Sequence, residues 1–320
     1  MTTILKTTNL NKVYKLGGLL NRVRINALDE VNLTIERDEP VIISVVGESG
    51  SGKTTLAKVI LRLVHPTSGS AIVYGKLIVG KGDKPSNVEF FNMVQPIFQN
   101  PFEAFSSHRA VDSYLADTAV NVAQLQKTEV VAAMAEALRL VGLDYQDVRG
   151  KYPNQFSGGE LQRVSIARAL IPRPEIIIAD EPVSMIDASL RMNIINLFLS
   201  LKEESKRSFL YITHDLATAY YISDYIAVMY RGSIVEFGDA RKILADPQHP
   251  YTQLLLASIP DTRTKWNRQK IALSDIEAKE FGFTGCRFCN RCPIAEDRCR
   301  VERPPAIKKE DGREVYCHFA

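Results

Sequence analysis

An α/β fold built on a parallel sheet is predicted by three features of the sequence. Residues 41–46, VIISVV, form a short β-branched run, followed at once by a Gly-rich turn and then by Leu56, Val59, Ile60 and Leu63 at helical spacing. Two further apolar runs, Ile176-Ile177-Ile178 and residues 208–213 (SFLYIT), each come after a helical stretch. Short runs apolar on both faces, alternating with helices, belong to a parallel sheet covered on both sides.

The first of these units carries the chemistry. Gly47, Gly50, Gly52, Lys53 and Thr54 fill every fixed position of G-x-x-x-x-G-K-[ST], a phosphate-binding loop. Backbone N–H groups can converge on a triphosphate only where the chain turns tightly without Cβ atoms in the way, which explains the glycines. The helix N-terminus adds free N–H donors and a partial positive charge. Lys53 supplies a full charge to the β- and γ-phosphates, and the Thr54 hydroxyl is placed to ligate Mg²⁺. Glu48, Ser49, Ser51 and Thr55 complete the loop, so the expected ligand is a nucleoside triphosphate.

Composition bounds the rest. At 320 residues, with 45% apolar and 24% charged content, the chain has the make-up of a soluble globular protein of one or two domains. The net charge of +3 is nearly balanced, so bulk electrostatics give no sign of a nucleic-acid partner. No apolar run is long enough to cross a bilayer and no signal peptide opens the chain, so any membrane role is expected to act through partners. All five cysteines fall within the last 35 residues. That odd number, with no secretion signal, argues against a disulfide framework.

The remaining elements follow in order. Residues 3–36 read as edge strands, with Val31, Leu33 and Ile35 alternating with polar residues. Tyr14 within them is a packing residue on its own evidence. Residues 94–105, VQPIFQNPFEAF, end a strand at Gln99 and enter a Pro-broken aromatic loop. Residues 110–150 are helical, with Val131, Met134, Leu138 and Val141 as one face, and read as an inserted subdomain. Ser157-Gly158-Gly159-Glu160 fits a capping box opening a helix that ends before Pro172. The strand at Ile176 delivers Asp180 and Glu181, acidic residues at the ligand-facing end of a parallel sheet. A helix with Leu190, Ile194, Leu197 and Leu201 on one face then returns to the strand that delivers His214 and Asp215. Residues 226–237 read as a hairpin through Arg231-Gly232, residues 246–260 as a Pro-bounded helical segment and residues 261–280 as a linker.

The phosphate loop, Gln99, the SGGE helix, the IIIADE strand and His214, in this order, resemble the nucleotide-binding subunit of ABC transporters over residues 1–240. The resemblance implies a P-loop NTPase (RecA-like) α/β core with an antiparallel β subdomain and an inserted helical subdomain at about 100–170. It implies ATP and Mg²⁺ as ligands. Tyr14 then resembles the aromatic that stacks on adenine. Gln99 resembles the glutamine that touches Mg²⁺ and the attacking water, Asp180 the Mg²⁺ carboxylate acting through water, Glu181 the general base and His214 the γ-phosphate contact. Ser157, Gly158 and Gly159 resemble the signature motif that binds the γ-phosphate held by an opposite subunit, with Asp187 nearby. Glu160 stands where the family usually has Gln, which the capping box itself explains.

The tail narrows the resemblance. Residues 248–260, QHPYTQLLLASIP, and residues 285–299, GCRFCNRCPIAEDRC, are similar to the C-terminal region, here 241–320, of the ATPases of oligopeptide and dipeptide importers. In some of that group cysteines here hold a [4Fe–4S] cluster, and Cys286, Cys292, Cys299 and Cys317 match that spacing. Cys289 is extra, and zinc or free thiols are the rivals.

The function implied is an ATPase subunit that works at a cleft shared by two such subunits and powers an importer of oligopeptides or dipeptides. An oligosaccharide or nickel importer of the same subgroup is the alternative. Implied partners are a second ATPase, a paralogue giving a heterodimer, two transmembrane permease subunits and, indirectly, an extracytoplasmic solute-binding protein. The place implied is the cytoplasmic face of the membrane, held peripherally. A non-transport ABC ATPase is disfavoured by the single domain, the missing heptad run and the missing basic stripe.

Overall fold

The computed structural model describes residues 1–16, 23–258 and 284–320. Two long strands, β1 (Thr3–Leu16) and β2 (Val23–Glu36), pair antiparallel. Then come the buried strand β3 (Ile42–Val46) and helix α1 (Lys53–Ile60), which opens directly from the Gly-rich turn. Leu63, expected on the same helical face, lies beyond its end and is 54% exposed. Strands β4 (Ser68–Val73) and β5 (Lys76–Val79) form a hairpin, and β4 pairs with β1. Helix α2 (Asn87–Met93), opened by a Ser86–Glu89 capping box, leads into β6 (Val94–Ile97). Pro96 can sit in β6 because this strand is the edge of its sheet, where a missing N–H is tolerated. The strand stops at Ile97, two residues short of Gln99.

The inserted helices are α3 (Val111–Asn121), α4 (Lys127–Leu140), α5 (Tyr145–Val148) and α6 (Gly158–Leu170). On α4 the buried valine is Val130, not Val131, which is 51% exposed; Met134 and Leu138 are buried as expected. Two adjacent valines cannot both face the core of a 3.6-residue helix, and Ala137 completes the inward stripe. Strand β7 (Ile176–Asp180), helix α7 (Ala188–Ser205), strand β8 (Ser208–Thr213) and helix α8 (Leu216–Ile222) follow. On α7, Ile194 and Leu201 are buried and Leu197 partly so, while Leu190 is largely exposed. Strands β9 (Tyr225–Tyr230) and β10 (Ser233–Asp239) make the expected hairpin, with Arg231 at φ +43° and Gly232 at φ +86° in the two-residue turn.

The Pro-bounded segment is helical over part of its length. Helix α9 (Ala240–Ala245) precedes it, and α10 (Pro250–Ala257) starts only at the proline, capped by His249. The linker expected over 261–280 lies outside the described residues. After it come α11 (Asp297–Val301), β11 (Ile307–Lys308) and β12 (Glu314–Val315). The tail is not merely appended: β12 pairs with β10, so the large sheet runs β11-β12-β10-β9-β3-β8-β7-β6. Strand β3 lies between β9 and β8, parallel to both. The four-stranded sheet runs β2-β1-β4-β5.

Three apolar layers hold this together. One packs α1 and the small sheet against one face of the large sheet, through Leu10, Val31, Ile43, Val45, Leu56 and Val59. A second packs the inserted helices and α7 on the other face, around Ile42, Ile177 and Phe209. The third joins the end of β3 to the tail through Val46, Leu216, Tyr230, Tyr251 and Phe288. Among the described residues no helix is long and apolar enough to cross a membrane.

Candidate functional site

The C-terminal ends of β3, β7 and β8 lie side by side, so the groups carried just beyond them meet. The turn after β3 is possible only with glycine at two places. Gly47 has φ +153° and an added Cβ would stand 2.1 Å from the Met229 carbonyl oxygen; Gly52 has φ +106° and its Cβ would stand 2.4 Å from the Ala27 carbonyl oxygen. Gly52 caps α1 without a side-chain hydrogen bond, which leaves the first-turn N–H groups pointing into the loop. Lys53 is only 5% exposed, and its Nζ donates to the Gly47 and Glu48 carbonyl oxygens at 2.8 Å each. Burial pushes its pKa below the ordinary lysine value, opposed by the negative charges of Glu181, Asp180 and Glu48. Ser51 is buried beside Lys53, Ser49 and Thr54 are exposed, and Thr55 is half-buried.

Asp180 ends β7 and accepts a hydrogen bond from the Thr54 hydroxyl at 3.2 Å. Burial raises the Asp180 pKa, the Thr54 bond counters it, and the neighbouring Glu181 charge adds to the rise. Two hard oxygen donors together, one of them a carboxylate whose charge is poorly solvated, suit a hard divalent cation such as Mg²⁺. Glu181 has φ +46°, an unfavourable region for a long side chain, and its N–H is fixed by the Ile212 carbonyl at 2.9 Å. Its carboxylate is held from two sides. His214 Nδ1 stands 3.1 Å from one oxygen, and the Gln99 side-chain amide donates to the other at 3.4 Å. The geometry therefore brings Lys53, Thr54, Asp180, Glu181, Gln99 and His214 to one place.

The remaining sequence-derived residues lie elsewhere. Tyr14 is half-buried in β1, with the Lys12 ammonium 5.0 Å from its ring centre. Ser157 closes the capping box with Glu160: its N–H donates to Glu160 Oε2 at 2.9 Å and its hydroxyl accepts from the Glu160 N–H at 3.3 Å. The α6 N-terminus, with Gly158 and Gly159, lies against Met185 and Leu190. Asp187 caps α7 with its backbone only and is exposed, as is Met185. The aromatic loop divides: Phe105 is buried edge-on against Tyr114 at 5.3 Å, while Phe102 is 47% exposed.

All five cysteines lie in the tail. Among the described residues, no group of three or more His, Cys, Asp or Glu side chains is placed to hold a metal ion. Cys286, Cys289, Cys292, Cys299 and Cys317 are free thiols lining one cavity with His249 and His318. Burial pushes Cys286 up to about 11 and raises Cys289 and Cys292.

Sequence reasoning also missed contacts between the tail and the phosphate loop. The buried Glu236 carboxylate on β10 accepts from the Gln248 and His249 N–H groups at 3.0 Å each. His249, pushed down to about 3 by burial and so neutral, accepts from the Tyr251 N–H at 3.0 Å through Nδ1. This sets Tyr251 so that its hydroxyl accepts from the Glu48 N–H at 2.9 Å. The HPY run was the only signal of it.

The chain is similar to known proteins over nearly its whole length. A family profile described as "ABC transporter" matches residues 28–184, and one described as "Oligopeptide/dipeptide transporter, C-terminal region" matches residues 235–299. The probable peptide ABC transporter ATP-binding protein y4tS of Sinorhizobium fredii is 36% identical over 98% of this chain and 89% of its own length. The di/tripeptide transport ATP-binding protein DppF of Pseudomonas aeruginosa is 33% identical over 100% of this chain and 98% of its own length. The oligopeptide transport ATP-binding protein AppF of Bacillus subtilis is 34% identical over 99% and 97%. Among solved structures, the ATP-binding cassette MJ0796 in a dimeric post-hydrolysis state, bound to ADP and phosphate, has a TM-score of 0.64 at 28% identity, covering 74% of this chain and 99% of that one. The fold is thus that of an ABC cassette, and the chain belongs to the ABC transporter family as an ATP-hydrolysing ATP-binding subunit of the oligopeptide/dipeptide group.

Proposed function

We propose that this chain powers import of short peptides through a membrane permease, working as one half of a pair of ATPases. The observation that carries the reading is the meeting of Lys53, Thr54, Asp180, Glu181, Gln99 and His214 at one end of the sheet, while Ser157 and Asp187 stand apart at an open face. The first set can cradle and cleave a nucleotide. The second, a helix N-terminus with two glycines, suits a phosphate offered by a neighbouring subunit.

In this reading Gly47 to Thr55 wrap the phosphates, Lys53 turns from the loop carbonyls to the β- and γ-oxygens, and Tyr14 stacks on the base. A bound Mg²⁺, held by Thr54 with Gln99 beside it and Asp180 acting through water, would neutralise charge gathering on the leaving phosphate. Glu181 takes a proton from the water that attacks in line, and His214 and Gln99 hold its carboxylate in place. Closing and reopening of the paired sites drive the permease, and exposed Phe102 beside Gln99 is the surface offered to it. The second ATPase is a paralogue, and the chain works from the cytoplasmic face.

The three relatives are named for peptides, not for oligosaccharides or nickel. Reconstitution of the whole complex in proteoliposomes checks the assignment. ATP hydrolysis should rise when the solute-binding protein carries a peptide. Stimulation by an oligosaccharide-loaded binding protein, with none by peptide, would remove the peptide assignment.

In the same reading Cys286, Cys292, Cys299 and Cys317, which line one cavity, close on a [4Fe–4S] cluster. Soft thiols lining one cavity are the right donor set, and a cluster would clamp a small extension that has little core of its own. Cys317→Ser should lower both iron and acid-labile sulfide in anaerobically purified protein. Stoichiometric zinc without sulfide would assign zinc instead; full iron retention would move the fourth ligand to Cys289.

A further inference from the structure

The loop between Cys286 and Cys292 carries two arginines whose partners lie outside the tail. Arg291 makes a two-pronged ion pair with Glu48 of the phosphate loop, Nη1 to Oε2 and Nη2 to Oε1, both at 2.9 Å. Its guanidinium lies 5.8 Å from the ring centres of both Tyr230 and Phe288. Tyr230, Tyr251 and Phe288 pack on one another at 4.5, 5.3 and 5.4 Å, so the side chain is held in a rigid aromatic seat. Such a planar fork fixes direction as well as charge, which a lysine would not.

Arg287 grips the other end. It is buried, pairs with Asp29 at 2.8 Å and donates to the Arg231 carbonyl oxygen. The next residue, Gly232, donates its N–H to the Ser51 carbonyl at 2.7 Å and accepts from the Asp29 N–H at 2.9 Å. The phosphate loop is therefore held near its start by Arg291 through Glu48, and near its end by Arg287 through the Arg231-Gly232 turn.

We propose that the Cys286–Cys292 loop is a brace that sets the shape of the phosphate loop, with Arg291 and Arg287 as positioning residues that tune nucleotide affinity. The brace acts in two ways. It fixes where the Glu48 and Ser51 peptide groups point, and it neutralises a carboxylate that would otherwise stand unpaired beside a polyanion. By reciprocity, nucleotide binding must tighten the cysteine loop by the same factor that the loop tightens nucleotide binding. The inference rests on the phosphate loop being the nucleotide site.

The test is a double-substitution cycle in the assembled complex, read by binding of a non-hydrolysable ATP analogue. Arg291→Gln and Glu48→Gln should each weaken binding about tenfold, and the double variant by no more than the larger single effect, as expected for coupled partners. At saturating ATP the turnover of Arg291→Gln should stay within about twofold of the parent, and Arg291→Lys should recover part of the affinity. Amide exchange over residues 286–292 should slow when the analogue binds, and this protection should vanish in the double variant. Additive single effects, an Arg291→Gln variant of lowered melting temperature but parental affinity, or exchange indifferent to nucleotide would each overturn the brace. Should Arg291→Gln not fold, Glu48→Gln probes the same contact from the loop side. Failure of the unsubstituted complex to bind the analogue would instead remove the nucleotide site beneath it.

Discussion

Glu181→Gln is expected to stop turnover and leave nucleotide binding in place. The substitution keeps the size of the side chain and the contact with Gln99, but an amide cannot take a proton from water. The backbone at this residue is left-handed, φ +46°, a strain of the order of 1–3 kcal/mol, and the carboxylate it carries stands 3.1 Å from His214 Nδ1. Loss of a positioned general base costs about 10²–10⁴ in rate. Affinity should hold or improve, because one negative charge beside Lys53 and Asp180 is removed where a triphosphate must sit. The check is a pair of measurements on one preparation, the hydrolysis rate at saturating ATP and equilibrium binding of ATP. Hydrolysis above a tenth of the parental rate would take the base role from Glu181.

Much of this site was legible in the chain because its parts are local. The phosphate loop is contiguous, and its glycines answer to positive φ values and close approaches at Gly47 and Gly52. The Ser157–Glu160 box spans one turn and formed as its spacing required. Asp180, Glu181 and His214 could be placed because residues at strand ends of a parallel sheet come together. What escaped was non-local or too short to be periodic. Strands β11 and β12 have two residues each, so nothing in their pattern announces that they extend the large sheet. Glu48 and Arg291 are 243 residues apart, and their pairing depends on where the tail docks. Cysteine spacing placed the five thiols in one stretch of chain, but their gathering around one cavity with His249 and His318 depends on how the tail folds.

The second large effect concerns pairing. Ser157 and Glu160 satisfy each other within α6, Asp187 and Met185 are exposed, and the Lys53–Glu181 centre is built from other elements of the chain. A single subunit therefore brings Lys53, Glu181 and His214 together, and carries the exposed Ser157 at the α6 N-terminus outside that set of contacts. If that N-terminus completes the site of a neighbour, stabilisation of the developing charge is missing from an isolated chain. Removing such donors costs roughly 10²–10³ in rate.

The most direct measurement is the ATP hydrolysis rate per subunit as the purified chain is diluted, with mass measured in the same solutions. The rate per subunit should fall at least a hundredfold once the molecule is verified as monomeric, and return when the paired complex is restored. A monomer that hydrolyses ATP at the rate of the assembled complex would contradict the shared cleft.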